Sequence, residues 1–176
     1  MEEIKNYRLG EFINEPEKLQ EEYLKLLKLV AKKETIKELF ELPFDFVYDL
    51  MNDGLPDLPT IIEAVAKIQG ISKENALNIR IIEFFGLSKS LKEQIETVRT
   101  AFRSLGSKVQ NPKFEMVGGS KRMAKYGIKN LSIPLAIKFN RLPSDIEKMS
   151  FGEVFTLKSY FTDKEQIDTE MKELKI

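Results

Sequence analysis

A chain of 176 residues that is 42% hydrophobic and 32% charged has the size and composition of one folded domain rather than a disordered segment. It holds 28 basic and 28 acidic residues but neither histidine nor cysteine. That excludes a disulfide framework, a thiol nucleophile, thiolate metal sites and the commonest general base. No apolar run approaches the roughly 18–20 residues of a membrane span. The acidic start MEEIKNY lacks the apolar centre of a secretory signal, so a cytoplasmic protein with no membrane partner is expected.

The net charge of zero conceals blocks. Residues 1–63 carry 8 basic against 15 acidic side chains, a net of −7. Residues 64–85 are near balance at 3 against 2, and residues 86–141 carry 12 against 3, a net of +9. Residues 142–176 carry 5 against 8, a net of −3. Block charge bears on association more than on fold. It fits the basic middle packing beside the acidic ends of its own or another copy, and equally an acidic partner or a polyanion.

In chain order, Asn14 and Pro16 predict a helix start. Leu19, Tyr23, Leu26, Leu27 and Val30 then form one apolar face, with Lys32 and Lys33 suiting its C-terminal end. A short helix is predicted through Ile36, Leu39 and Phe40. Pro43 opens PFDFVYDLMN, which ends at Asp53-Gly54, and DGLPDLP is a turn-forming linker and candidate hinge. Pro59 and Thr60 open the next helix, with Gly70 beyond its end. Ser72 caps another, running towards Phe84-Phe85-Gly86. Ser88 caps one more, with Leu91, Ile95, Val98, Phe102 and Leu105 on one stripe and Gly106 as its stop.

Residues 107–128 lack this periodicity and read as a long irregular loop with a short extended piece at KFEMV; such loops are often functional. Ser132-Ile133-Pro134 opens a helix to Phe139. Two capping boxes follow, Ser150 with Glu153 and Thr162 with Glu165. The second precedes Ile167, Met171 and Leu174. The expected fold is all-α: a single domain of about eight short helices. It has acidic N-terminal helices over 1–63, a basic middle over 86–141 and a C-terminal helical hairpin over 144–176.

The stretch FEMVGGSKRMAKYGIKNL, Phe114 to Leu131, combines glycines with basic residues. Gly118-Gly119-Ser120-Lys121 has the residue types of a phosphate loop at the wrong spacing and between helices, not after a strand. Asp45, Asp49 and Asp53 stand at i, i+4 and i+8, but their stretch is not a calcium loop and reads as the polar face of a helix. No nucleophile–base pair is recognisable. The expectation is therefore no enzyme, no cofactor and no metal.

Two readings of the basic segment remain. Arg99, Arg103, Lys108, Lys113, Lys121, Arg122, Lys125 and Lys129 offer a partner or polyanion contact, with Phe114 and Tyr126 available for stacking if the ligand is a nucleic acid. Alternatively those rings enter the core and the cations are a solvated face. Met116, Met123 and Met149 suit adaptable packing against a partner. The clusters Phe40, Phe44, Phe46, Tyr48 and Phe151, Phe155, Tyr160, Phe161 either form an interaction surface or meet in one core.

The stretch MAKYGIKNLSIPLAIKFNRLPSDIEKMSFGEVFTLKSYFTDKEQ, Met123 to Gln166, places a glycine-containing basic loop before a short helix and then a Glu-Val-Phe helix. That helix follows the turn Leu142-Pro143-Ser144. This order resembles small helical proteins of tailed bacteriophages, of the tail-assembly-chaperone or minor virion type. The resemblance implies a non-enzymatic protein that binds other phage structural or assembly proteins, or itself. It would act in the host cytoplasm during assembly or in the virion. The alternative expectation is a nucleic-acid-binding module using the basic 99–129 surface.

Overall fold

The computed structural model describes residues 7–55, 57–105 and 112–174. Among them the chain is mostly helical, with eleven α-helices, one 3-10 turn and no strand. By backbone packing it divides into two compact units, one of residues 1–38 and 53–97, the other of residues 39–52 and 98–176.

The first unit contains α1 (Leu9–Phe12), α2 (Glu17–Val30), α4 (Leu58–Gln69), α5 (Lys73–Leu77) and the N-terminal part of α6 (Ile81–Ser104). Leu9 is fully buried, and its backbone N–H donates to Ile79 at 2.9 Å. The Ile81 N–H donates to Tyr7 at the same distance, so two segments distant in sequence are stitched together. Asp57 caps α4 by accepting from the Thr60 N–H at 2.8 Å; hydrogen bonding to the Thr60 side chain first, and to its backbone second, holds the Asp57 carboxyl below the usual range. Gly70 closes that helix in the left-handed conformation, φ 67°. Leu27, Val65, Ile81, Phe84, Leu91 and Ile95 fill the interior.

The second unit contains the 3-10 turn Leu39–Glu41, α3 (Phe44–Asp53), the C-terminal end of α6, and α7 (Pro112–Met116) with α8 (Gly119–Ala124). After these come α9 (Lys129–Phe139), α10 (Pro143–Lys148) and α11 (Phe151–Glu173). Its centre is aromatic. Phe151 is fully buried, with ring centres 5.3 Å from Phe40, 6.1 Å from Phe44 and 5.9 Å from Phe102. The Phe40–Tyr48 and Phe151–Phe161 clusters therefore meet in one core at these residues. Reciprocal backbone bonds of 2.8 Å, Phe44 N–H to Met149 and Phe151 N–H to Leu42, lock the entries of α3 and α11 together.

Several expected boundaries differ, each for a physical reason. The helix predicted around Ile36 is absent; residues 31–38 take no helical form and only Leu39–Glu41 turns. This segment bonds outward instead, with the Glu34 carbonyl accepting from the Ser90 hydroxyl at 2.6 Å and Lys33 paired with Glu93 at 2.6 Å. Asn14 does not cap α2, because its amide donates to Gly10 and Pro16 stands at the cap position. Ser88 starts no new helix. Its buried hydroxyl donates to the Phe84 carbonyl at 2.8 Å within α6, which runs unbroken for 24 residues.

Pro134 lies inside α9 rather than at its start, and the Ser132 hydroxyl donates to Glu147 at 2.6 Å instead of capping. The Ser150–Glu153 capping box forms. The Thr162–Glu165 box does not. Thr162 falls within the continuous 23-residue α11, and its buried hydroxyl oxygen has no hydrogen-bond partner among the described residues.

Candidate partner-docking surface

Where a long irregular loop with an extended KFEMV piece was expected, the described residues form the short helices α7 and α8. Five- and six-residue helices contain too few turns to show a period in sequence, so this segment reads as structureless. The Gly-Gly pair explains the turn between them. Gly118 adopts φ 69°, ψ 32°, the left-handed region that favours glycine. Its N–H donates to the Glu115 carbonyl at 2.8 Å, and its own carbonyl accepts from the Arg122 N–H at 3.0 Å. Gly119 serves another need: a Cβ there would lie 2.5 Å from the Phe114 ring. The Ser120 hydroxyl donates to the Glu115 carboxylate across the turn. These glycines build a helical corner, with the Phe114 ring lying over its second residue.

That corner leaves apolar atoms in water. Met116 is 85% and Val117 63% exposed, and Phe114, Met123 and Tyr126 are all exposed as well. Phe114, Val117, Met123 and Tyr126, with Arg122, Lys125 and Gly119, line a cavity of about 210 Å³. Cations surround it: Lys113, Lys121, Arg122 and Lys125 are all exposed. The Lys125 ammonium stands 4.9 Å from the centre of the Tyr126 ring, within the range of a cation–π contact. The surface is thus apolar at its crest and basic around it.

The other predicted site residues divide from these. Arg99 is half-buried, and its guanidinium donates twice to the Met51 carbonyl, at 2.9 and 2.7 Å. It satisfies an end-of-helix carbonyl of α3. Lys129 donates to both oxygens of Glu147, at 2.7 and 2.9 Å. Glu147 is only 14% exposed. Burial raises its pKa, but the bonds from Lys129 and Ser132 outweigh that, and the net direction is down. Arg103 is exposed and borders a separate cavity of about 310 Å³ with Tyr48, Asn52 and Leu131. Lys108 lies outside the described residues. Of the eight cations, Lys113, Lys121, Arg122 and Lys125 belong to the corner, while Arg99 and Lys129 have structural bonds.

Sequence reading missed Val117, after Met116 the most exposed apolar side chain of the corner, because a lone valine beside two glycines carries no pattern. Among the described residues no group of three or more carboxylates is placed to hold a metal ion, and no helix is long and apolar enough to cross a membrane. No family model, curated protein or solved structure matches the chain.

Proposed function

We propose that this chain is a non-catalytic protein that works by docking other proteins, of the assembly or virion type that its Met123–Gln166 stretch resembles in tailed bacteriophages. The observation that carries the reading is the exposure of Met116 and Val117 at the crest of a basic corner. A monomer gains nothing by holding Met116, at the end of α7, and Val117, in the turn that follows it, in water, whereas a partner that covers them removes apolar area worth about 25 cal/mol per Å². A polyanion would engage the lysines and leave these two side chains wet. The surrounding Lys113, Lys121, Arg122 and Lys125 select an acidic rim on the partner and speed encounter.

The nucleic-acid alternative has its own support in the exposed Tyr126 and Phe114 rings among those cations, which is the composition of a stacking surface. The two separate by experiment. Substituting Val117 with a photo-crosslinking residue and irradiating during phage assembly should give protein adducts, identified by mass spectrometry as structural or assembly components. Met116→Glu should abolish them. Adducts to nucleotides, together with DNA or RNA binding that collapses between about 50 and 200 mM salt, would replace the docking reading with the nucleic-acid one.

A further inference from the structure

The first unit contains an apolar groove of about 490 Å³ walled by Leu24, Ile61, Phe84 and Phe85. Its charged lining residues are three lysines, Lys28 on α2 and Lys89 and Lys92 on α6, and no carboxylate lines it. An apolar cleft of this size with a cationic rim suits an apolar segment that brings negative charge.

The same chain carries such a segment. Along α11, Tyr160, Ile167 and Met171 are 59%, 54% and 56% exposed, and Leu174, the residue that caps its C-terminal end, is 78% exposed. At about 100° per residue they fall within a sector of about 60°, a continuous apolar stripe. Asp163, Asp168 and Glu170, all exposed, stand at its edges, against one lysine, Lys164. Anchors at steps of four and three residues are what a groove that accepts a helix reads.

We propose that the α11 stripe of one copy docks into the α2–α6 groove of a second copy. Ile167 and Met171 enter the groove, and Asp163, Asp168 and Glu170 face Lys28, Lys89 and Lys92. The groove and the stripe are different surfaces, so the contact is heterologous. Such contacts close into rings or extend as open chains according to the rotation between copies. The inference uses neither α7 nor α8 and stands apart from the docking surface above.

The test is sedimentation equilibrium over a range of concentrations with two charge-reversed proteins. One carries Lys28→Glu, Lys89→Glu and Lys92→Glu; the other carries Asp163→Lys, Asp168→Lys and Glu170→Lys. Wild type should associate, each variant alone should associate at least about tenfold more weakly, and their mixture should recover association through opposite charges. Ile167→Glu with Met171→Glu, both at exposed positions, should also abolish association while leaving the circular dichroism unchanged. A labelled peptide of residues 159–174 should bind intact wild type and lose about tenfold against the lysine-reversed protein. A wild type that stays monomeric at every concentration, or association indifferent to all these changes, overturns the proposal. Loss of association on Met116→Glu alone, with the α11 variants unaffected, moves self-contact to the α7–α8 corner and equally overturns it.

Discussion

The two parts of α11 place their apolar residues in opposite surroundings. From Phe151 to Phe161 the helix is anchored by a capping box and sends Phe151 and Val154 into an aromatic core, where both are essentially inaccessible. From Thr162 onward Ile167 and Met171 recur with the same helical spacing, yet each is more than half exposed. Periodicity decides which residues share a face. It does not decide whether anything covers that face. Uncovered stripes and corners are where such a chain has surface left for partners.

The largest test of this contrast is Phe151→Ala, which empties a fully enclosed site ringed by Phe40, Phe44 and Phe102. It should cost about 3–5 kcal/mol in urea denaturation. Met171→Ala, further along the same helix and more than half exposed, should stay within about 0.5 kcal/mol. Equal losses at the two positions would mean that the stripe is covered within the folded monomer.

Next in size is Arg99→Ala, expected to cost about 1–3 kcal/mol because the Met51 carbonyl loses a charged donor in a half-buried setting. Lys121→Ala, at an exposed site, should stay within about 0.5 kcal/mol, and this pair separates structural cations from surface ones.

Glu147→Gln should cost about 1–2 kcal/mol at neutral pH through weakened bonds to Lys129 and Ser132. Folding lowers the Glu147 pKa, so its contribution is complete above the ordinary value of 4.5 and is lost as the pH falls below it. The stability gap between wild type and Glu147→Gln, followed by denaturation across acid pH, should narrow in that range. A gap that widens on acidification would contradict this sign. The smallest effect on stability belongs to Gly119→Ala. It should displace the Phe114 ring, which a Cβ would meet at 2.5 Å, and so reduce adduct formation from residue 117 while leaving net charge unchanged.

Much of the fold was legible because its signals are local. The all-α class, the spans of α3 and α4, the Ser72 cap and the Ser150–Glu153 box follow from spacing and capping chemistry. Hydroxyl residues are poor punctuation here. Ser88, Ser132 and Thr162 all look like caps, but two of their hydroxyls bond a carbonyl one turn back or a carboxylate on another helix. The third lies within a helix with no partner among the described residues. The basic segment was visible as charge, whereas the division between Arg99 and Lys129 on one side and the corner cations on the other depends on Met51 and Glu147. Those partners are 48 and 18 residues away. The lysine-rimmed groove joins Lys28 to Lys92, a juxtaposition no short window contains.

The most direct measurement of the central claim is the photo-crosslink from residue 117, compared between wild-type surroundings and Met116→Glu. Protein docking at the α7–α8 corner predicts discrete protein adducts that disappear with Met116→Glu and persist in high salt. Adducts to nucleic acid, or protein adducts unchanged by Met116→Glu, would contradict it.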